Sequence, residues 1–249
     1  KAALDILEET TKFFESELHA KEGLNAVHYL KQRGLDEATV KNFRLGYAPK
    51  SGLKAVLASK GYSDDDMIAA GVLGKSDRDG RLYDYFRDRA MFPIENRQGK
   101  VIAFGARALG DANPKYLNSV DSSTFSKKTV LYGWVQARES VRRKLPLVVV
   151  EGYIDVIAVQ HSGVAAALAP LGTALTPEQI TLLWKLHDEP ILCFDGDAAG
   201  QRAQSRALER ILPLLEPGRS ARLAMLPAGK DPDNVLSEFG RNELRKILG

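Results

Sequence analysis

The hydrophobic pattern of the chain changes character near residue 145. From there on, short apolar runs alternate with segments of helical spacing. LPLVVV (145–150) is a continuous, β-branched run that ends at EGYID, and DVIAVQHSG (155–163) follows with helical spacing and a stop at Gly163. VAAALAP (164–170) is a second run, and LGTALTPEQITLLWKL comes after it. There Thr176 is placed to N-cap, Pro177 suits the first helical position, and Gln179 completes a capping box. ILCF (191–194) reads as a third strand, followed by a helix with Ala198, Ala203, Ala207, Leu208, Ile211 and Leu212 on one face. RLAMLP (222–227) reads as a fourth and leads through AGKDPDN into VLSEFGRNELRKIL. Strands that are apolar throughout, rather than alternating, belong in a sheet covered on both faces. The pattern therefore predicts an α/β fold with a mostly parallel sheet flanked by helices.

The first 145 residues predict a mixed α+β subdomain. Residues 2–34 are helical by pattern with Gly34 as a stop, and DEATVKNF forms a further short helix. RAMFPIENRQGKVIAFGAR (89–107) has hairpin grammar, with NRQG as its turn, and residues 114–128 have loop composition. The division falls into 1–145 and 146–249, with the basic RRK (142–144) just ahead of it. An apolar share of 44% and a charged share of 27% are those of a globular protein. The longest apolar stretches are far too short for a membrane span, and no charged-then-apolar leader opens the chain, so a cytoplasmic protein without membrane contact is expected. The first residue is Lys1, which suggests an excised fragment. Cys193, the sole cysteine, rules out a disulfide framework or a zinc site built on several thiolates and reads as a small core residue. Net charge is +3, but residues 1–145 carry 25 Lys and Arg against 19 Asp and Glu, while 146–249 carry 10 against 13. The basic front half hints at contact with a polyanion.

The acidic residues change the picture most. Glu151 follows the first apolar run, Asp195 and Asp197 the third, and Asp231 and Asp233 the fourth. The C-terminal ends of parallel strands line one edge of a sheet, where ligand crevices form, so these residues are expected to converge. Asp155, four beyond Glu151, sits on the first helical turn and faces the same edge. Helix N-termini supply about half a unit of positive charge each, too little to balance so many carboxylates. Cations must supply the rest, and all-oxygen donors suit Mg²⁺ or Mn²⁺, two or more of them, as in phosphoryl-transfer sites. Gly152 and Gly196 fit tight turns that let a phosphate approach. Tyr153 reads as packing, Trp134 and Trp184 as core, and His19, His28, His161 and His187 lack ligand spacing.

EGYID, FDGDAAG and DPD, in this order at strand ends, resemble the Toprim domain of bacterial primases, topoisomerases and some nucleases. YLKQRGL with FRLGYAP, then RAMFPIENRQGKVIAFGAR, PKYLNS, FSKKTVLYG and VVVEGYIDV, resemble the catalytic core of the bacterial replicative DNA primase family, the DnaG type, from about residue 8 to the end. The resemblance implies template-directed synthesis of short RNA primers from NTPs on single-stranded DNA by two-metal nucleotidyl transfer. It implies Glu151, Asp195 and Asp197 as the principal catalytic and metal-binding residues, with Asp155, Asp231 and Asp233 extending the metal site. Lys115, Asn118 and Lys127 would bind the nucleotide, and Arg87, Arg89 and Arg107 the template; Arg44 matches no particular role. The replicative helicase is the implied partner of the full-length protein, through a region outside this chain, at the replisome. Two other readings stay open: a Toprim nuclease or topoisomerase-like strand cutter, which leaves PKYLNS and FSKK unexplained, and a non-catalytic nucleic-acid-binding module.

Overall fold

The computed structural model describes residues 2–249, which fold into two compact units. The first takes the chain up to Gln32 and Asp36–Ser126; the second takes Arg33–Leu35 and Lys127–Gly249. In the first unit the helices and strands run α1 (Ala2–Leu18), α2 (Leu24–Gln32), α3 (Glu37–Asn42), β1 (Gly46–Ala48), α4 (Leu53–Ser59) and α5 (Asp64–Ala69). They continue β2 (Leu73–Lys75), β3 (Leu82–Asp84), β4 (Arg89–Glu95), β5 (Val101–Ala108) and β6 (Tyr116–Asn118). The main sheet has the order β1-β4-β5-β6 and is antiparallel throughout, while β2 and β3 pair separately.

Helix α1 buries Ile6, Leu7, Thr10, Thr11, Phe14 and Leu18, the three-and-four spacing that turns one stripe to a sheet. Phe14 meets Phe104 of β5 edge-to-face, with ring centroids 5.5 Å apart. The approach is so close that a Cβ at Gly46 would lie 2.7 Å from the Phe14 backbone, which is why β1 begins with glycine. The β4–β5 hairpin turns where the pattern predicts: Asn96 Oδ1 accepts from the N–H groups of Gln98 and Lys100, each at 3.0 Å, and Gly99 takes a φ of 79°. PKYLNS departs from its loop expectation. Residues 116–118 form β6, an edge strand whose backbone pairs with β5 and whose first side chain is exposed, so no apolar alternation marks it. Arg44, with a φ of 54°, donates along two edges of its guanidinium to Glu8 and Glu15 of α1 and serves to hold that helix.

The second unit contains α6 (Trp134–Arg142), β7 (Leu147–Val149), α7 (Tyr153–Ser162), β8 (Ala166–Leu168), α8 (Pro177–Leu186) and β9 (Ile191–Leu192). It ends with α9 (Ala198–Ile211), β10 (Arg222–Leu223), α10 (Pro232–Phe239) and α11 (Arg241–Leu248). Its sheet has the order β10-β9-β7-β8 and every pairing is parallel. Leu147, Val149, Ala166, Leu168 and Leu192 form its centre together with Trp134 and Ala137 of α6. That packing puts the division between units after Ser126, not at residue 145, because α6 belongs to the core of the parallel sheet. The expected RLAMLP strand shrinks to Arg222 and Leu223, both exposed; it is the sheet's edge, not an interior strand. Trp184 is buried as expected, and burial pushes the Cys193 thiol up to about 12, which leaves it inert. Among the described residues no helix is long and apolar enough to cross a membrane.

Candidate active site

The order of the parallel sheet determines where a ligand can sit. The chain passes from β7 to β8 on one side, then crosses β7 to reach β9 on the other, so the direction of winding reverses between β7 and β9. A crevice opens at the C-terminal ends of such a strand pair. Glu151 leaves β7 there and Asp195 leaves β9, and the two are joined directly: the Asp195 N–H donates to Glu151 Oε1 at 3.0 Å. Gly196 follows because the strand end is pinned to the loop before α10. Its N–H donates to the Lys230 carbonyl at 2.8 Å, and a Cβ at this position would collide with the Pro227 carbonyl oxygen.

The other carboxylates divide into two pairs. Asp197 and Asp231 are the N-caps of α9 and α10: Asp197 Oδ1 accepts from the Gly200 N–H and Asp231 Oδ1 from the Asn234 N–H, both at 2.7 Å. One oxygen of each is thereby committed to a helix end. Asp155 and Asp233 lie behind, each under a tenth exposed. Asp155 Oδ1 accepts from the Asp233 N–H at 3.2 Å, and Asp233 Oδ2 is held by Arg33 Nη1 at 2.9 Å. Asp233 therefore has a cationic partner already. Arg33 was not singled out in the sequence, and no local signal could have found it, since its partner lies 200 residues away.

Electrostatics ties the group together. Burial, then the charges of Glu151, Asp231 and Asp197, lift the Asp195 carboxyl to about 7. Burial foremost, with Asp231 and Asp195 adding, holds Asp155 well above the ordinary carboxylate range. Burial also raises Glu151 against the opposing Asp195 N–H, and raises Asp233 against the opposing Arg33. Asp195 Oδ1 is buried without a hydrogen-bond partner, which is costly for an acceptor unless a further group completes it. Among the described residues no three acidic, histidine or cysteine side chains close into a ready ion cage. Mg²⁺ commonly takes only one or two protein carboxylates, the rest being water and substrate phosphate. The oxygen-only donors and the orphaned Asp195 Oδ1 therefore fit a hard divalent cation.

The basic candidates occupy varied settings. In the first unit Lys115 is exposed just ahead of β6, its carbonyl accepting from the Ala108 N–H at 2.8 Å, and Asn118 lies half-buried in β6 opposite Gly105. Arg89 is buried and donates through Nη1 to the Pro114 carbonyl at 2.8 Å, so it shapes the PKYLNS segment from beneath. Arg87 is exposed over the Tyr83 ring, and Arg107 stacks on Tyr29 with 4.2 Å from guanidinium carbon to ring centroid. In the second unit Lys127 is anchored through its carbonyl, which accepts from Gln179 Nε2 at 3.0 Å. Gln179 is fully buried and also donates to the Val130 carbonyl at 2.8 Å while its Oε1 accepts from the Thr176 N–H. The capping box is the one expected; its second duty is not legible locally.

A parallel sheet with this order and a crown of carboxylates on its C-terminal edge defines a Toprim-like domain, and the Toprim-like family matches residues 148–236. Residues 13–138 match the N-terminal domain of the DNA primase catalytic core. The DNA primase of Pasteurella multocida is 43% identical over 247 residues, covering 98% of this chain and 42% of that protein. The DNA primase of Escherichia coli is 41% identical over 232 residues, covering 92% of this chain and 40% of that protein. The chain thus spans about two fifths of the length of these curated relatives. Among solved structures, a DnaG primase catalytic domain bound to single-stranded DNA superposes with a TM-score of 0.90 at 37% identity, covering 99% of this chain and 78% of that one. A DNA primase domain from Pseudomonas aeruginosa gives 0.91 at 40% identity with the same coverage. The chain belongs to the bacterial DNA primase family, DnaG type, within its catalytic core.

Proposed function

We propose that this chain is the catalytic core for RNA primer synthesis, joining NTPs in template order on single-stranded DNA. The observation that carries the reading is the Glu151–Asp195 junction at the sheet's winding reversal, with Asp195 Oδ1 buried and unpartnered among five further carboxylates. Glu151, Asp195 and the uncommitted oxygens of Asp197 and Asp231 would hold Mg²⁺ or Mn²⁺, with Asp155 and Asp233 bracing them from behind. The bound ions would supply activation of the attacking 3′-hydroxyl and charge for the departing pyrophosphate. The remaining work falls to the chain's own side chains. Lys115, Asn118 and Lys127 would bind the incoming nucleotide, the lysines as point charges toward its phosphates. Arg87 and Arg107 would contact template phosphates, while Arg89 would act through the segment it supports. In the whole protein such a core would work in the cytoplasm at the replisome, beside the replicative helicase.

A strand-cutting Toprim reading gains no support. Tyr153, the tyrosine beside Glu151, is buried with its ring edge-on to Tyr132 at 4.7 Å, unsuited to attack a phosphodiester. The test is incubation with labelled NTPs, Mg²⁺ or Mn²⁺ and single-stranded DNA. RNA oligomers that depend on template are expected, and Asp195→Asn should abolish them while the protein melts no lower than its parent. Shortened DNA without NTP incorporation would overturn the proposal.

A further inference from the structure

Glu151 also lines a cleft of about 350 Å³ in the second unit. Its walls are the loop that leaves β8 (residues 170–175), Phe194, and the α9 residues Ala199, Ala203 and Arg206. The walls are built rigidly. Arg210, one turn beyond Arg206, donates through Nη1 to the Ala174 and Leu175 carbonyls at 3.2 and 2.6 Å, stapling the loop to α9. Gly172 turns the loop with a φ of 69°, and the Thr176–Gln179 box closes it at the start of α8. Two arginines on one helical face are thus used differently. Arg210 is spent on loop carbonyls; Arg206, exposed at the cleft it lines together with Glu151, donates through Nε to the Arg202 carbonyl at 3.2 Å and leaves its two Nη groups uncommitted.

A planar guanidinium with both Nη groups uncommitted is a fork for phosphate oxygens. The Glu151 carboxylate in the same lining would repel a bare phosphate, so the ligand must arrive with a cation that Glu151 can share. The volume lies at the low end of small-molecule sites, enough for a polyphosphate and not for a passing strand. We propose that this cleft binds the divalent-bound polyphosphate of a nucleotide or of released pyrophosphate, with Arg206 as its phosphate-binding residue. The inference rests on the function proposed above and deepens it.

The test measures binding of inorganic pyrophosphate, and separately of an NTP, by calorimetry in Mn²⁺, alongside Mn²⁺ binding alone and single-stranded DNA binding. Arg206→Ala should weaken pyrophosphate at least tenfold, and Arg206→Lys should recover part of that loss. Arg202→Ala, one turn away on the surface, should change nothing, and Mn²⁺ binding without phosphate should stay within twofold in all variants. A matching loss for the NTP marks its β and γ phosphates as the occupant; a loss confined to pyrophosphate marks the product. Unchanged pyrophosphate and NTP affinity in Arg206→Ala, or a loss seen only with DNA, overturns the inference and leaves the primase reading intact. A parent protein that synthesises no RNA and binds no Mn²⁺ overturns that reading as well.

Discussion

Six carboxylates crowd one sheet edge, and their individual surroundings sort them into different tasks. Asp195 and Glu151 meet at the winding reversal, Asp197 and Asp231 give one oxygen each to a helix end, and Asp155 and Asp233 are buried behind. The last pair depends on Arg33, whose guanidinium meets the Asp233 carboxylate at 2.9 Å. Removing Arg33 strands a buried carboxylate, a change that typically costs about 1–3 kcal/mol. Arg33→Ala should therefore lower the unfolding free energy in urea by about that much, and adding Asp233→Asn should restore most of it. Strictly additive losses in the double variant would mean the pair is not coupled and that Asp233 has another role. The acids could be picked out in the sequence because Glu151 and Asp195 directly end apolar runs and the others lie within a few residues of such an end. Their division of labour was not, since it depends on which residue begins a helix and on a partner supplied from the far end of the chain.

At the level of elements, local chemistry that uses neighbours in sequence was readable and pairing at a distance was not. The Thr176–Gln179 box, the Gly163 stop and the NRQG turn all form as their residue types dictate. Strand β6 escaped because none of its side chains is buried, and β10 was expected too long because the apolar run of 222–227 continues past the two residues that pair. The same limit placed α6 on the wrong side of the expected division: Trp134 and Ala137 pack beneath the parallel sheet, a fact no window of sequence contains. Gln179 links both kinds of information. Its side chain completes the cap of α8 and then holds the Lys127 and Val130 carbonyls, so three backbone groups lose their partner when it is truncated. Gln179→Ala should destabilise the protein by about 2–4 kcal/mol, from several unsatisfied buried groups together. In the folded fraction it should also raise the KM for NTPs more than it lowers kcat, because Lys127 loses its anchor. A variant that is less stable but unaltered in KM would remove Lys127 from the nucleotide site.

For the molecule as a whole, charge belongs to the units rather than to the halves of the sequence. The first unit carries 18 Lys and Arg against 18 Asp and Glu, and the second carries 17 against 14. The positive excess of the front half lies in residues 127–145 and Arg33, on the same unit as the carboxylates. That unit therefore stores repulsion at one sheet edge, and pH must reveal it. Asp195 rises from an ordinary 3.8 to about 7, and Asp155, Glu151 and Asp233 also rise. Between pH 4 and 7 the native protein thus holds protons that the unfolded chain has released. The associated stability is complete below about pH 4 and is lost as pH climbs through 7. For Asp195 alone, discounted because it is only partly buried, the loss is about 1–2 kcal/mol. A cation that binds the ionised site should reverse this, and protons should compete with it at low pH. Without divalent ions, the melting temperature should fall by several degrees from pH 5.5 to pH 8, at roughly 2–4 °C per kcal/mol for a chain of this size. Saturating Mn²⁺ should then raise it more at pH 8 than at pH 5.5, and Asp195→Asn should flatten both responses. Mn²⁺ stabilisation that is equal at the two pH values and unchanged in Asp195→Asn would locate the cation away from this edge.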